Sequence, residues 1–303
     1  MNATPLVGAI EAGGTKMVCA VGRTWREVRD TPAHVVPTTT PDETMARVLD
    51  WFAARHAVTP LSALGVASFG PIDFAADAIA TTTPKELWRG FRWRQAIATR
   101  FGDLPLGYDT DTNAAGVAEW RWGAARGRDV SVYVTVGTGI GGGIVVNGVP
   151  IHGLLHPEFG HMFVPRQAGD DFVGTCPSHG DCLEGLASGE AIARRWRRAG
   201  RELDANHPAW ELESSYLALA VVNIVMITSP QIVVLGGGVM GVEGLIERVR
   251  HKVRTAVNGY LPRAELSTNV DRYLVTPGLG TYSGVVGAFA LAQRALDAGP
   301  AST

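Results

Sequence analysis

Leu6-Val7-Gly8-Ala9-Ile10-Glu11-Ala12-Gly13-Gly14-Thr15-Lys16-Met17-Val18-Cys19-Ala20-Val21 is the stretch that decides the fold. Leu6–Ile10 reads as one strand and Lys16–Val21 as another. The Gly-Gly turn between them predicts a hairpin. The same order returns in mid-chain. Val130–Val136 is a strand rich in β-branched residues, Gly137-Thr138-Gly139-Ile140-Gly141-Gly142 follows, and Gly143–Val146 leads into Asn147-Gly148, a hairpin signal. Each half therefore opens as strand, glycine turn, strand, which is a repeat of architecture without sequence identity.

Outward from these hairpins the elements alternate. A helix starts at Pro41 and runs to about His56. Ala63–Ser68 is a short buried strand followed by the turn Phe69-Gly70-Pro71. Residues 81–93 are irregular. Leu106–Tyr108 ends a strand, and Asp111–Trp122 is a helix. Residues 152–187 concentrate histidine and cysteine with little periodic pattern. Helices are expected at about 189–199, 211–228, 240–257 and 282–297, and the strand Ile232–Leu235 runs into Gly236-Gly237-Gly238.

A bound phosphate needs backbone N–H groups at close range, and glycine leaves that approach open. Gly13-Gly14-Thr15-Lys16 and Gly137-Thr138-Gly139 each sit at a strand turn and each bring a hydroxyl. Gly236-Gly237-Gly238 is expected to lead into a helix whose N-terminus favours an anion. One such cluster is a tight turn. Three, two of them in matching positions, point to a nucleotide. No G-x-x-x-x-G-K-[ST] loop occurs, and the glycines from Gly139 fit a dinucleotide fingerprint poorly.

Phosphoryl transfer also asks for a base to orient the attacking hydroxyl. Tyr108-Asp109-Thr110-Asp111-Thr112-Asn113 supplies carboxylates where a strand ends and a helix begins. Asp is also a favoured N-cap, and spacing alone leaves Asp109 and Asp111 equivalent. Cys176, His179 and Cys182 stand at x2 spacing, with His161 fifteen residues earlier as a fourth ligand and His156 and His152 as competitors. Two thiolates and two imidazoles suit a closed structural zinc site. Catalytic magnesium would be separate, held largely by nucleotide phosphates and water.

The 303 residues carry a formal net charge of -2 and 18% charged residues. That balance gives no electrostatic reason to expect nucleic acid or membrane as a partner. Arg194, Arg195, Arg197 and Arg198 alternate with apolar residues and read as a solvated helix face. Met1–Pro5 lacks the basic start of a leader, and no apolar run is expected to reach spanning length: Ala218–Ile227 stops at Thr228-Ser229-Pro230. The 3 cysteines form no disulfide framework. A cytoplasmic location is expected.

Taken in order, Glu11–Lys16, Ser68–Pro71, Asp109–Ala115, Gly137–Gly141, His156–His161, Cys176–Gly189 and Leu235–Val239 resemble the ROK family (repressors, open reading frames, kinases), over essentially the whole chain. The fructokinase branch is the nearest. The resemblance implies an actin-like (ribonuclease H-like, hexokinase-type) fold, two α/β domains flanking a cleft that holds ATP and a hexose. It implies domains at 1–113, completed by helix 284–298, and 114–283, with a zinc loop at 156–184. It assigns Asp111 as the base. Gly70, Pro71, Asn113, Glu158, His161 and Glu184 fall to the sugar, with His161 also the first zinc ligand. The three glycine turns fall to the nucleotide. Its cofactors are ATP, Mg2+ and a structural Zn2+, and its usual assembly is a homodimer. Glu11 stands where most members have Asp, and Cys-x2-His-x2-Cys replaces a Cys-rich loop. Both departures, with Thr82-Thr83-Pro84-Lys85 and Trp88, match the fructokinase branch. The expected activity is phosphorylation of D-fructose at the 6-hydroxyl, with glucokinase, mannokinase or a broad hexose kinase as neighbouring alternatives. The alternative of another class is a non-catalytic sugar-responsive regulator; such repressors in the family carry an N-terminal DNA-binding domain, which is not expected here because the first strand is expected from about Leu6.

Overall fold

The computed structural model describes residues 4–298. The leader reading at Met1–Pro5 and the start of the domain expected from residue 1 lie partly outside them. The chain forms two compact units. Of the described residues, the first holds those up to Ala118, the segment His152–His156 and everything from Tyr282. The second holds Glu119–Ile151 and Pro157–Thr281. The boundary expected at residue 113 falls inside a continuous helix, Asp111–Trp122.

In the first unit the strands are β1 (Val7–Ala12), β2 (Lys16–Gly22), β3 (His34–Pro37), β4 (Ala63–Ser68), the small pair β5 (Ile72–Asp73) and β6 (Ala78–Ile79), and β7 (Leu106–Thr110). The main sheet has the order β3-β2-β1-β4-β7. β1 and β2 are the expected antiparallel hairpin, with Ala12 opposite Met17 across the glycine turn. β4 and β7 add in parallel. β4 is buried along its whole length, as a strand covered on both faces must be. The helix Ser283–Ala298 presses on one side of it. A Cβ on Gly65 would stand 1.8 Å from the Ala288 carbonyl oxygen, so only glycine lets this helix backbone reach the sheet. Phe52, Trp88 and Trp93, all fully buried, belong to the same core as Ile10, Leu64 and Val66. The helix Pro41–Val58 is well punctuated: Thr40 accepts the Glu43 N–H, Pro41 opens the first turn, and Arg55 and His56 lie in the last.

The second unit repeats the plan with β8 (Val130–Val136), β9 (Ile140–Val146), β10 (Val149–Pro150), β11 (Ile232–Gly236) and β12 (Leu274–Val275), in the order β10-β9-β8-β11-β12. Here too an antiparallel hairpin is extended by two parallel strands. This duplicated sheet is the actin-like α/β fold. β9 starts three residues earlier than expected, because Gly141–Gly143 pair with β8 despite their poor strand propensity.

Two expectations are corrected in this unit. The helix Ala209–Thr228 is long and apolar enough to cross a membrane by length and composition. Its Trp210, Tyr216, Leu217, Val221 and Ile224 are nevertheless packed into the unit's core, as in a buried helix. The helix expected from 240 begins at Leu245, after a 3-10 turn at Gly238–Gly241. Glu119 was not anticipated by any pattern. It is fully buried, and its carboxylate accepts the N–H groups of Ala124 (2.7 Å), Gly278 (2.9 Å) and Leu279 (3.0 Å), pinning two loops to one helix end.

Candidate active site

The first glycine turn is closed by Gly13 N–H donating to the Lys16 carbonyl at 3.0 Å, and Thr38 Oγ1 donates to the Gly13 carbonyl at 2.8 Å. Lys85 bends over it: its Nζ lies 3.0 Å from where a Cβ on Gly14 would stand. That places a cation at a turn rich in backbone N–H groups. In the second unit, Gly137 N–H donates to the Gly139 carbonyl at 2.9 Å, and Gly189 N–H donates to the Gly137 carbonyl at 2.7 Å. Glu184 is drawn to this turn, its Oε2 accepting the Ile140 N–H at 2.9 Å. At the third cluster Gly237 takes φ +93, and a Cβ there would meet the Val136 carbonyl oxygen at 2.3 Å. The chain leaves that cluster as a 3-10 turn, so no α-helix N-terminus stands directly behind Gly238.

The strand-to-helix junction separates the two aspartates that spacing left equivalent. Asp109 is buried and heavily engaged: its Oδ1 accepts from Thr110 N–H at 2.7 Å and from Asn113 Nδ2 at 2.8 Å, and His152 Nε2 lies 3.1 Å away. Asp111 opens the helix and is half-buried. Desolvation raises its pKa from 3.8 to about 6, against hydrogen bonds from the backbone N–H groups of Thr112 and of Asp111 itself. Glu11, at the end of β1, is pushed to about 7 by burial first and by the Asp111 charge second, with Lys16 and the Val285 N–H opposing. A carboxyl poised near neutrality suits proton transfer from a hydroxyl. Gly70 and Pro71 lie in the turn after β4, where Thr83 Oγ1 donates to the Gly70 carbonyl at 2.8 Å. Glu158 is exposed and precedes the short turn Phe159–His161.

Sγ of Cys176, Sγ of Cys182 and Nδ1 of His161 and His179 converge within 4.8 Å of one another. The His161–His179 nitrogens are 3.3 Å apart, and the sulfur–nitrogen distances are 3.6, 3.6 and 3.7 Å. A tetrahedron with Zn–N of about 2.05 Å and Zn–S of about 2.3 Å has N···N edges of about 3.3 Å and S···N edges of about 3.6 Å. The donor set and its spacing therefore fit zinc. His152 and His156 are engaged elsewhere, on Asp109 and on the Ile72 N–H. Beside this cluster a cavity of about 480 Å³ is lined by Phe159, Met162, Phe163, Ile224 and Ile227 among others. Phe163 and Ile227 are 66% and 82% exposed.

The profile of the ROK family matches residues 7–295. The chain belongs to the ROK family. Among ROK proteins, a fructokinase of Zymomonas mobilis subsp. mobilis is 41% identical over 303 residues, covering 97% of this chain and 98% of that one. A fructokinase of Pediococcus pentosaceus is 40% identical over 295 residues, covering 96% and 99%. In structure, the ROK hexokinase from Thermus thermophilus superposes with a TM-score of 0.78 at 28% identity, covering 97% of this chain and all of that one. Within this ROK chain, Lys85 was not picked out as a site residue by sequence, and Asp109 and His152, weighed there as a base and as a metal ligand, were not recognised as a pair. Lys85 was visible only as part of Thr82–Lys85, and the pair joins residues 43 apart that no periodicity connects.

Proposed function

We propose that this chain is an ATP-dependent fructokinase, an ATP:hexose 6-phosphotransferase that converts D-fructose to fructose 6-phosphate. Identities of 40–41% to two fructokinases over nearly the full length carry the choice of sugar. The half-buried Asp111, with a pKa of about 6, supports the chemistry. Asp111 takes the proton of the 6-hydroxyl as its oxygen attacks the γ-phosphorus of ATP and ADP leaves. Asn113 in the first unit, and Glu158 and Glu184 in the second, are assigned to sugar hydroxyls, with the Gly70-Pro71 turn shaping the first unit's share. The turns at Gly13–Lys16, Gly137–Gly139 and Gly236–Gly238 are assigned to the nucleotide. Lys85, with its ammonium over Gly14, adds positive charge for the phosphates.

Magnesium would be held by the nucleotide phosphates and water, with the hard oxygens of Glu11 and Asp111 at hand; when bound it neutralises charge on the transferred group. Zinc is assigned to His161, Cys176, His179 and Cys182 as a structural ion. With four protein ligands it would have no open position, and it would fix the loop 156–184 that carries Glu158 and Glu184. A homodimer belongs to the same reading, supported by the exposed apolar side chains Phe163 and Ile227 beside the cavity. A single-chain mass by light scattering would remove it. The activity itself is tested by ADP release with a panel of hexoses, where fructose should give the highest kcat/KM.

A further inference from the structure

The segment His152–His156 belongs to the first unit, although the residues before and after it in sequence belong to the second. Two histidines four positions apart tie it down. His156 Nε2 accepts the Ile72 N–H at 3.0 Å, one residue beyond the Gly70-Pro71 turn. His152 Nε2 lies 3.1 Å from the Asp109 carboxylate. The Phe74 ring packs on both, with centroids 4.6 Å from His152 and 6.2 Å from His156.

The polarity of this network is determined. A carboxylate only accepts, so the His152 nitrogen facing Asp109 carries a hydrogen, and the Asn113 group facing it is the NH2. Asn113 Nδ2 donates to Asp109 Oδ1, while His152 Nε2, 3.3 Å from that nitrogen, lies 3.1 Å from both Oδ1 and Oδ2 and so spans the carboxylate. Asn113 cannot turn its amide over without setting its oxygen against that carboxylate. Its Oδ1 is therefore fixed as an acceptor directed away from Asp109, and it is buried with no protein donor among the described residues. Leaving such an oxygen unmatched costs about 1–3 kcal/mol, which a ligand hydroxyl donating to it would recover.

We infer that His152, acting through Asp109, is a positioning residue that fixes Asn113 as the acceptor for one hexose hydroxyl and so contributes to the choice of sugar. This rests on the reading of Asn113 as a sugar ligand. A site built to pair with one hydroxyl rejects a sugar that cannot place a donor there more strongly than an apolar wall would. Asp109 alone could hold the Asn113 amide. His152 occupies the remainder of the carboxylate and keeps it from turning toward the ligand in place of Asn113.

The test compares His152→Leu, which removes the donor, with His152→Gln, whose amide NH2 reaches the same place. Each is made alone and in an Asn113→Ala background. Fructose Kd by titration calorimetry is measured with KM for fructose and ATP, after circular dichroism has shown native folding. His152→Leu should weaken fructose binding about tenfold, the effect of one charge-assisted hydrogen bond, with KM for ATP unmoved. His152→Gln should restore most of the affinity. In the Asn113→Ala background the His152→Leu change should add nothing, because its route runs through Asn113. An unchanged fructose Kd in folded His152→Leu overturns the inference, as does a tenfold loss that persists without Asn113, or a Gln variant that behaves like Leu. Failure of the underlying reading shows separately: Asn113→Ala by itself would then leave the fructose Kd unchanged.

Discussion

Replacing Asp111 by Asn keeps the shape of the side chain and removes both its charge and its basicity. Two effects follow, and they have opposite signs. The first is on rate. With a pKa of about 6, about nine-tenths of Asp111 is protonated at pH 5 and about a tenth at pH 7. For the wild type, log kcat/KM for the hexose should rise with unit slope up to about pH 6 and then level off. Asp111→Asn should lower kcat by about 10²–10⁴ and flatten that limb, since a positioned base contributes about that much. The second effect is on stability. The pKa is raised in the folded state, so the folded chain holds the proton more tightly than the unfolded one. The stabilisation is complete below pH 3.8 and is lost as pH rises through about 6. Asn mimics the protonated form and keeps it. Asp111→Asn should therefore be more stable than wild type at pH 8 by about 1–3 kcal/mol, with the difference closing at pH 4. A coupled ADP assay from pH 5 to 8 reads the first effect, and denaturant unfolding at pH 4 and 8 reads the second. A folded Asp111→Asn enzyme within tenfold of wild-type turnover would refute the assignment of the base. A variant less stable at pH 8 would refute the electrostatic account of its burial.

Glu119→Ala leaves the N–H groups of Ala124, Gly278 and Leu279 without their acceptor. It should cost about 3 kcal/mol or more in urea unfolding, with Glu119→Gln milder, and a loss under about 1 kcal/mol would show that water replaces the carboxylate freely. Freshly purified protein should carry about one zinc per chain by plasma mass spectrometry, falling to near none in Cys176→Ser with faster amide exchange across the loop. Wild-type protein with far less than one zinc per chain would contradict the site.

What the sequence made legible follows from which interactions are local. The hairpins at Gly13-Gly14 and Gly137–Gly139 were readable because strand and turn propensities agree within sixteen residues. Repeated, they disclosed the duplicated sheet. The start of β9 was missed because Gly141–Gly143 have no strand preference of their own and are held by pairing with β8. The helix after Gly236–Gly238 was placed five residues early, because Gly237 takes a left-handed φ that directs the chain into a 3-10 turn first. The proposed metal ligands Cys176, His179 and Cys182 were readable from x2 spacing; spacing left His161 in competition with His152 and His156, the family resemblance chose His161, and His161 is the one that converges with the other three. The same holds for Asp109 and Asp111. Both sit at a junction where capping and catalysis favour the same residue type, and only the partners Thr110, Asn113 and His152 show which one is occupied.

The most direct test of the account is a hexose panel with ATP and magnesium, with the phosphorylated product identified by mass spectrometry and NMR. Fructose should be turned over with the highest kcat/KM, giving ADP and fructose 6-phosphate in equal amounts, and Asp111→Asn should slow the formation of both by about 10²–10⁴. A higher kcat/KM for glucose or mannose would contradict the assignment of the sugar, and no ADP release with any hexose would contradict the kinase itself.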